Sequence, residues 1–353
     1  MIVRRVASSV VQRQVRYVTP VPSPAATGLV AQVYAQIDDE LRIVVPPALL
    51  HSPAPDVLAA FWMLMREPLI ATGVVDRLTK EAVASAVSVA TICPYCVDMH
   101  STGMYDLSTE HDAEAIARDR VDDVDDPRVR AVAAWARLAH RPDEPATGAP
   151  FPDAHRPELV GVVVAFHYLT RMVNVFLGSF LLPPWLTPKA RRRFKHGISR
   201  VLAPTLRADH APGRSLPLLP EAELPASAAW ADGNPIVAAA AARSYAALAA
   251  AGRRSVRPDV RDLVSQRLAG WRGEETGLSR AWCEELVAAL PAADRPAGRL
   301  ALLTAFASHQ VDDETVGEFR RHHPDDVTLV ETTAWASFAA ARRVGEWHYP
   351  AGR

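Results

Sequence analysis

The feature that most constrains this chain is the spacing of its apolar residues, which recur at helical intervals over long stretches and nowhere alternate as in a half-buried strand. Val30, Val33, Tyr34 and Ile37 fall on one face of a first helix, and Leu58, Ala59, Trp62, Met63 and Met65 carry the pattern into a second. Further helices are predicted over 129–139, 159–177, 236–251, 256–271, 300–308 and 329–344. No β-branched alternating run joins another through a two-residue Gly turn, so the predicted class is all-α. With 353 residues the chain can bury close to about three quarters of its unfolded surface, so it needs neither disulfides nor a structural metal to fold.

Charge and composition exclude several functions. The 39 basic and 40 acidic side chains leave a net charge of −1, so no global field holds nucleic acid or an anionic membrane. No unbroken apolar run reaches the length of a membrane span, and none is predicted. Three cysteines, two of them three positions apart, suit a reducing compartment with a redox or metal role. Lysine occurs only at 80, 189 and 195, and the chain is rich in alanine and has 29 prolines, as in GC-rich bacterial coding; a bacterial cytoplasmic protein is expected.

Proline also marks the expected organisation. Pro204, Pro212, Pro217, Pro220, Pro225 and Pro235 place a connecting segment at 203–235, between a first domain at 26–202 and a second helical unit at 236–353. Residues 1–25 form a basic arm with Arg4, Arg5, Arg13 and Arg16 ahead of the first acid, Asp38. Its composition is that of a transit peptide, but a solvated or locally packed arm is the simpler expectation, with membrane or partner contact as the alternative. The basic run 189–196 is expected to be a charged surface turn or helix C-terminus rather than a phosphate patch. An internal duplication is also expected. Residues 128–136 match 299–307 in pattern, the same offset of 171 lays Arg171 over Arg342, and with a small shift Gly270-Trp271-Arg272-Gly273 falls where the first half has Cys93-Pro94-Tyr95-Cys96.

That last tetrapeptide carries the chemistry. Residues 81–92 read as one helix of small residues. Pro94 disfavours helical geometry at Cys93 and suits the first position of a new helix, so Cys93 becomes an N-cap and Cys96 lies in the first turn. Unpaired N–H groups and the positive end of the dipole there are expected to depress a cysteine pKa. His100 follows Cys96 by four residues, about one turn, and can take the thiol proton. Glu81, an acid in an Ala/Val/Ser helix, needs a partner, and His100 is the candidate.

A glutamate twelve residues before Cys-x-x-Cys, with histidine four after the second cysteine, resembles the core motif of the alkylhydroperoxidase D-like family of the carboxymuconolactone decarboxylase-like superfamily. Glu81, Cys93, Cys96 and His100 match in type and spacing; the likeness runs from about Val30 to Leu182, including Thr170-Arg171-Met172-Val173-Asn174, and is faint in the second half. It implies an all-helical bundle, here duplicated in tandem with a degenerate second repeat, whose dithiol reduces peroxides or relays electrons by disulfide exchange to a redox partner such as a peroxiredoxin, and is itself restored by a dithiol reductant. It implies further that Cys96 is the activated thiol, primed by a Glu–water–His relay, that Cys93 is exposed and resolves the sulfenic acid to a disulfide, and that no cofactor is held. Family members form trimers or hexamers, so a homodimer or homotrimer is expected. The family's histidine before the second cysteine is Tyr95 here, a poor base near neutrality. Tyr95 and Arg171 are the candidate substrate-binding residues.

Other readings use the same residues. A zinc site would take Cys93, Cys96 and His100 with a fourth ligand, and Cys283 is distant in sequence. A thioredoxin fold lacks its βαβ pattern. A non-redox decarboxylase-like enzyme and a helical scaffold with vestigial thiols remain as alternatives. Cys283, Trp335 and Phe338 are expected in the core, and His167, His309, His322 and His323 form no recognised ligand set.

Overall fold

The computed structural model describes residues 14–143, 148–178, 181–182 and 185–348, so Arg4, Arg5, Arg13 and the first half of the basic arm lie outside the described residues. Of the described residues, 69% are helical. Among the described residues there is no strand, only an isolated bridge between Val15 and Leu177. The first half contains α1 (Gly28–Leu41), α2 (Pro46–His51), α3 (Pro55–Met65, continued by a π turn at Arg66–Ile70), α4 (Arg77–Ala90), α5 (Pro94–Met104), α6 (Glu110–Ala117), α7 (Pro127–Leu138), α8 (Arg156–Phe176) and α9 (Pro188–Leu206). The second contains α10 (Pro235–Ser255), α11 (Pro258–Ala269), α12 (Ala281–Val287), α13 (Arg295–Ala307), α14 (Asp313–His322) and α15 (Asp326–Glu346).

Many of the prolines are helix starts. Pro46, Pro55, Pro94, Pro127, Pro188, Pro235 and Pro258 each open a helix, where a missing N–H costs nothing. The side chains of Asp76, Thr109, Asp126, Thr187 and Asn234 cap the helices that follow them. Buried α8 is the axis of the fold: it packs on α15, α4 and α3, while α3 packs on α10 and α13 on α15. One continuous hydrophobic core runs from Val18 to Val344 through both halves.

The segment 203–235 begins inside the last turns of α9 and ends as packed structure. Trp230 is 2% exposed, donates to the Tyr245 hydroxyl at 3.3 Å, and fits where Gly161 of α8 and Gly345 of α15 leave room for its ring. Buried Arg66 holds Glu40 at 2.8 Å, Glu67 at 2.7 Å and the Ala211 carbonyl at 2.7 Å, which fastens the same segment to the π turn after α3. An offset of 171 lays α6 over α12, α7 over α13 and α8 over α15, and α11 packs on α13 and α15 as α4 does on α7 and α8. The helix that carries the thiols, α5, has no counterpart: the chain between Ala269 and Ala281 is not α-helical.

Two expectations are corrected. Asp153–Phe176 and Pro235–Ser255 are each long and apolar enough to cross a membrane, which a search for unbroken apolar runs missed because Glu158, His167 and Arg171 interrupt the first. Its apolar window is 94% buried within the protein, against 50% for the second. The basic run is not a helix C-terminus either. It lies in the first turns of α9, and Lys195, 4% exposed, reaches Glu114 at 2.8 Å and Asp98 at 3.3 Å while Arg191 meets Asp98 at 2.9 Å. The run is the basic half of an ionic seam against α5 and α6. Beyond residue 13 the arm is packed: Arg16 pairs with Asp313 at 2.5 Å and the Thr19 N–H donates to Asp326 at 2.7 Å.

Candidate active site

The thiol-bearing turn follows from how α4 stops. The Cys93 N–H donates to the Ser88 carbonyl (3.0 Å) and the Ile92 N–H to that of Val89 (3.1 Å), the paired bonds of a Schellman motif. That motif requires a left-handed residue, and Ile92 supplies it with φ 53°, a conformation that costs a β-branched side chain about 1–3 kcal/mol. Asn174 of α8 donates to the Thr91 carbonyl at 3.3 Å and to the Ser308 hydroxyl at 3.0 Å, so the turn is held from both halves. Cys93 is then the N-cap of α5 with Pro94 at its first position, and Cys96 lies one turn in.

Glu81 is 2% exposed and lies between two partners: Arg77, one turn earlier on α4, at 2.8 Å and His100 Nδ1 at 2.7 Å. Burial alone would raise its carboxyl, but Arg77 and His100 overcome that and hold it at about 2. An ionised carboxylate only accepts, so His100 Nδ1 carries a proton, and in the neutral imidazole the lone pair is then on Nε2. The contact is direct, where the family resemblance implied a bridging water. Phe166 meets the His100 ring edge-on at 4.6 Å between centroids and fixes its plane.

Cys96, His100, Glu81 and Arg77 all line one cavity of about 280 Å³. Its other walls are mostly apolar, from Phe61, Trp62 and Met65 of α3, Leu169 of α8 and Leu202 and Leu206 of α9. Tyr95 lines it as well, donating through its hydroxyl to Gln14 at 3.2 Å, and burial pushes its pKa further from any role as a base. Two expectations about the thiols change here. Cys93 is 1% exposed, not open to solvent, and Cys96 is 3% exposed. Burial, reinforced by the adjacent Cys93, pushes the Cys96 thiol up, so the helix N-terminus does not by itself make it a thiolate. Both are free cysteines. Among the described residues, the ligand atoms of Cys93, Cys96 and His100 do not converge closely enough to share an ion.

Arg171 does not join this site. It projects from α8 into a different cavity, beside His167 and His140. Conversely, sequence reading passed over Arg77, whose i,i+4 spacing to Glu81 was a legible signal, and Gln14, which had none. Cys283 is buried in the second half with its thiol pushed up to about 12 by burial, as an inert core residue would be.

A helical bundle with this dithiol and Glu–His pair defines a class. Residues 56–138 match the Carboxymuconolactone decarboxylase family, and the chain belongs to the alkylhydroperoxidase D-like family within it. Across nearly its whole length it is similar to the alkyl hydroperoxide reductase Rv2159c of Mycobacterium tuberculosis: 38% identical over 334 residues, 94% of each chain. A solved structure, the alkylhydroperoxidase AhpD core of an uncharacterized peroxidase-related protein from Ralstonia eutropha JMP134, is 24% identical, with a TM-score of 0.40, covering 46% of this chain and 90% of that one.

Proposed function

We propose that this protein is a dithiol peroxidase that reduces organic hydroperoxides through Cys96 and Cys93. The carrying observation is the ordered line Arg77–Glu81–His100 in the wall of the cavity that holds Cys96. A buried thiol that resists ionisation needs a base, and His100, its Nδ1 engaged by Glu81, offers Nε2 for the purpose. Cys96 loses its proton to His100 and its sulfur attacks the terminal peroxide oxygen; the O–O bond breaks, and the alkoxide leaves as the alcohol with that proton. Cys93 then attacks the sulfenic acid, forming the disulfide and releasing water. An external dithiol, or the dithiol of a redox protein, restores both thiols by disulfide exchange.

The apolar walls favour a carbon-bearing hydroperoxide over hydrogen peroxide, in keeping with the name of the mycobacterial relative. Burial of Cys93 implies that the reductant engages an opened form of the α4–α5 turn. Phe194 and Val201, which α9 leaves exposed, support the expected homo-oligomer. The test is the intact mass of the reduced protein after one equivalent of cumene hydroperoxide, with peptide mapping. Loss of two hydrogens localised to Cys93–Cys96 is expected, and its absence refutes the proposal. Cys96→Ser should abolish peroxide consumption with helicity unchanged.

A further inference from the structure

A second cavity, of about 230 Å³, opens at the Ala90–Ile92 turn and shares no lining residue with the thiol cavity. Its wall comes from both halves: His167 and Arg171 of α8, His140 after α7, the 271–278 loop, and Phe306 and Ser308 at the end of α13. In volume it matches roughly eight waters at about 30 Å³ each, which suits a small organic molecule.

Its polar groups are unusual. Arg171 is 7% exposed, yet no carboxylate pairs with it among the described residues. Its Nε donates to the Ala305 carbonyl (2.9 Å) and its Nη1 to the His167 carbonyl (2.6 Å) and Nδ1 (3.2 Å); Nη2 has no partner among the described residues. A guanidinium only donates, so His167 Nδ1 accepts and its Nε2 carries the proton. That Nε2, in a side chain 1% exposed, has no hydrogen-bond partner among the described residues, and neither has Nδ1 of His140, 6% exposed. Burial pushes His167 well down and His140 down to about 3, so both are neutral at pH 7, while Arg171, lowered to about 10, stays charged.

The two carboxylates in the wall are exposed and engaged elsewhere: Glu274 accepts the Arg272 N–H at 2.6 Å, and Glu275 faces Arg141 at 3.4 Å. The cavity thus holds one buried cation whose charge is uncompensated, with unfilled donor capacity around it, a combination that costs stability unless an acceptor anion arrives. Part of the wall is aromatic, Trp271 and Phe306 meeting edge-on at 5.7 Å.

We infer that this cavity binds a small organic carboxylate, with its head on Arg171 and its apolar body against Trp271 and Phe306. A single cation and aromatic walls match a monocarboxylate; phosphate would require more donors and no apolar surface. The inference does not rest on the peroxidase reading, since the two cavities are separate.

The experiment is calorimetric titration of the full-length reduced protein at pH 7 with benzoate, with benzamide as the uncharged isostere and inorganic phosphate as the competing anion. Benzoate should bind, and benzamide at least about tenfold more weakly, because one charge-assisted contact to a buried guanidinium is lost. Arg171→Met should lose benzoate binding. As removal of a buried arginine can disturb folding, Thr276→Trp, in the half-buried loop wall, is the second variant. It should block benzoate while leaving thermal stability and cumene hydroperoxide turnover unchanged. Cys96→Ser should bind benzoate like the parent, which separates this result from the thiol chemistry. Equal affinity for benzamide, undiminished binding by Thr276→Trp, no heat up to about 10 mM benzoate, or binding of phosphate alone would each overturn the assignment.

Discussion

Replacing Glu81 by glutamine keeps its shape and removes its charge from between Arg77 and His100. In the folded protein the carboxyl sits at about 2 against an ordinary 4.5, a gap that corresponds to about 3 kcal/mol of stabilisation of the ionised, folded form. Because the folded value lies below the unfolded one, that contribution is complete above about pH 5 and fades as the pH falls toward 2, reaching about half its full size near pH 3. Urea unfolding of parent and Glu81→Gln at several pH values isolates this one carboxyl from all others, which are common to both proteins. The stability difference should be about 3 kcal/mol at pH 7 and about 1–2 kcal/mol at pH 3. A constant difference across that range refutes the reasoning and returns Glu81 to the status of a packing residue. The same substitution removes the acceptor that fixes Nδ1–H on His100, so peroxide turnover at neutral pH should fall by about tenfold or more.

Three further outcomes follow from particular geometries. Ile92→Gly relieves the left-handed strain at a residue whose side chain is half exposed, and thermal unfolding should show a gain of about 1 kcal/mol; a lower melting temperature would mean that Ile92 packs more than it strains. At Gly273, φ is +89° and a Cβ would overlap the His140 carbonyl oxygen, so Gly273→Ala should cost more than about 2 kcal/mol in urea unfolding; a neutral result would show that the 271–278 loop is free to shift. Leu169→Trp should narrow the thiol cavity and raise KM for cumene hydroperoxide by about tenfold with hydrogen peroxide little affected, whereas equal effects on both would argue against the apolar cavity as the alkyl subsite.

Much of this was legible in one dimension. The all-α class follows from apolar spacing, and the start of α5 from Pro94 after Cys93, because both are properties of a local backbone. The Glu81–His100 pairing was also readable: an acid among Ala, Val and Ser must find a partner, and the only question was distance, which the structure answers as 2.7 Å. The prolines of 203–235 mark a break in regular helix, but no count of them reveals that the segment carries the buried Trp230.

Tertiary structure alone decided which face of α8 each side chain serves. Phe166 and Leu169 turn toward the thiols while His167 and Arg171, one and two positions on, turn to the second cavity, because about 100° of rotation per residue sends neighbours to different sides and the second half of the chain supplies the wall that Arg171 meets. The electrostatics of Cys96 were equally out of reach. A helix N-terminus favours the thiolate while desolvation opposes it, and burial is a sum over distant segments, from Gln14 to Leu206, that no local motif contains.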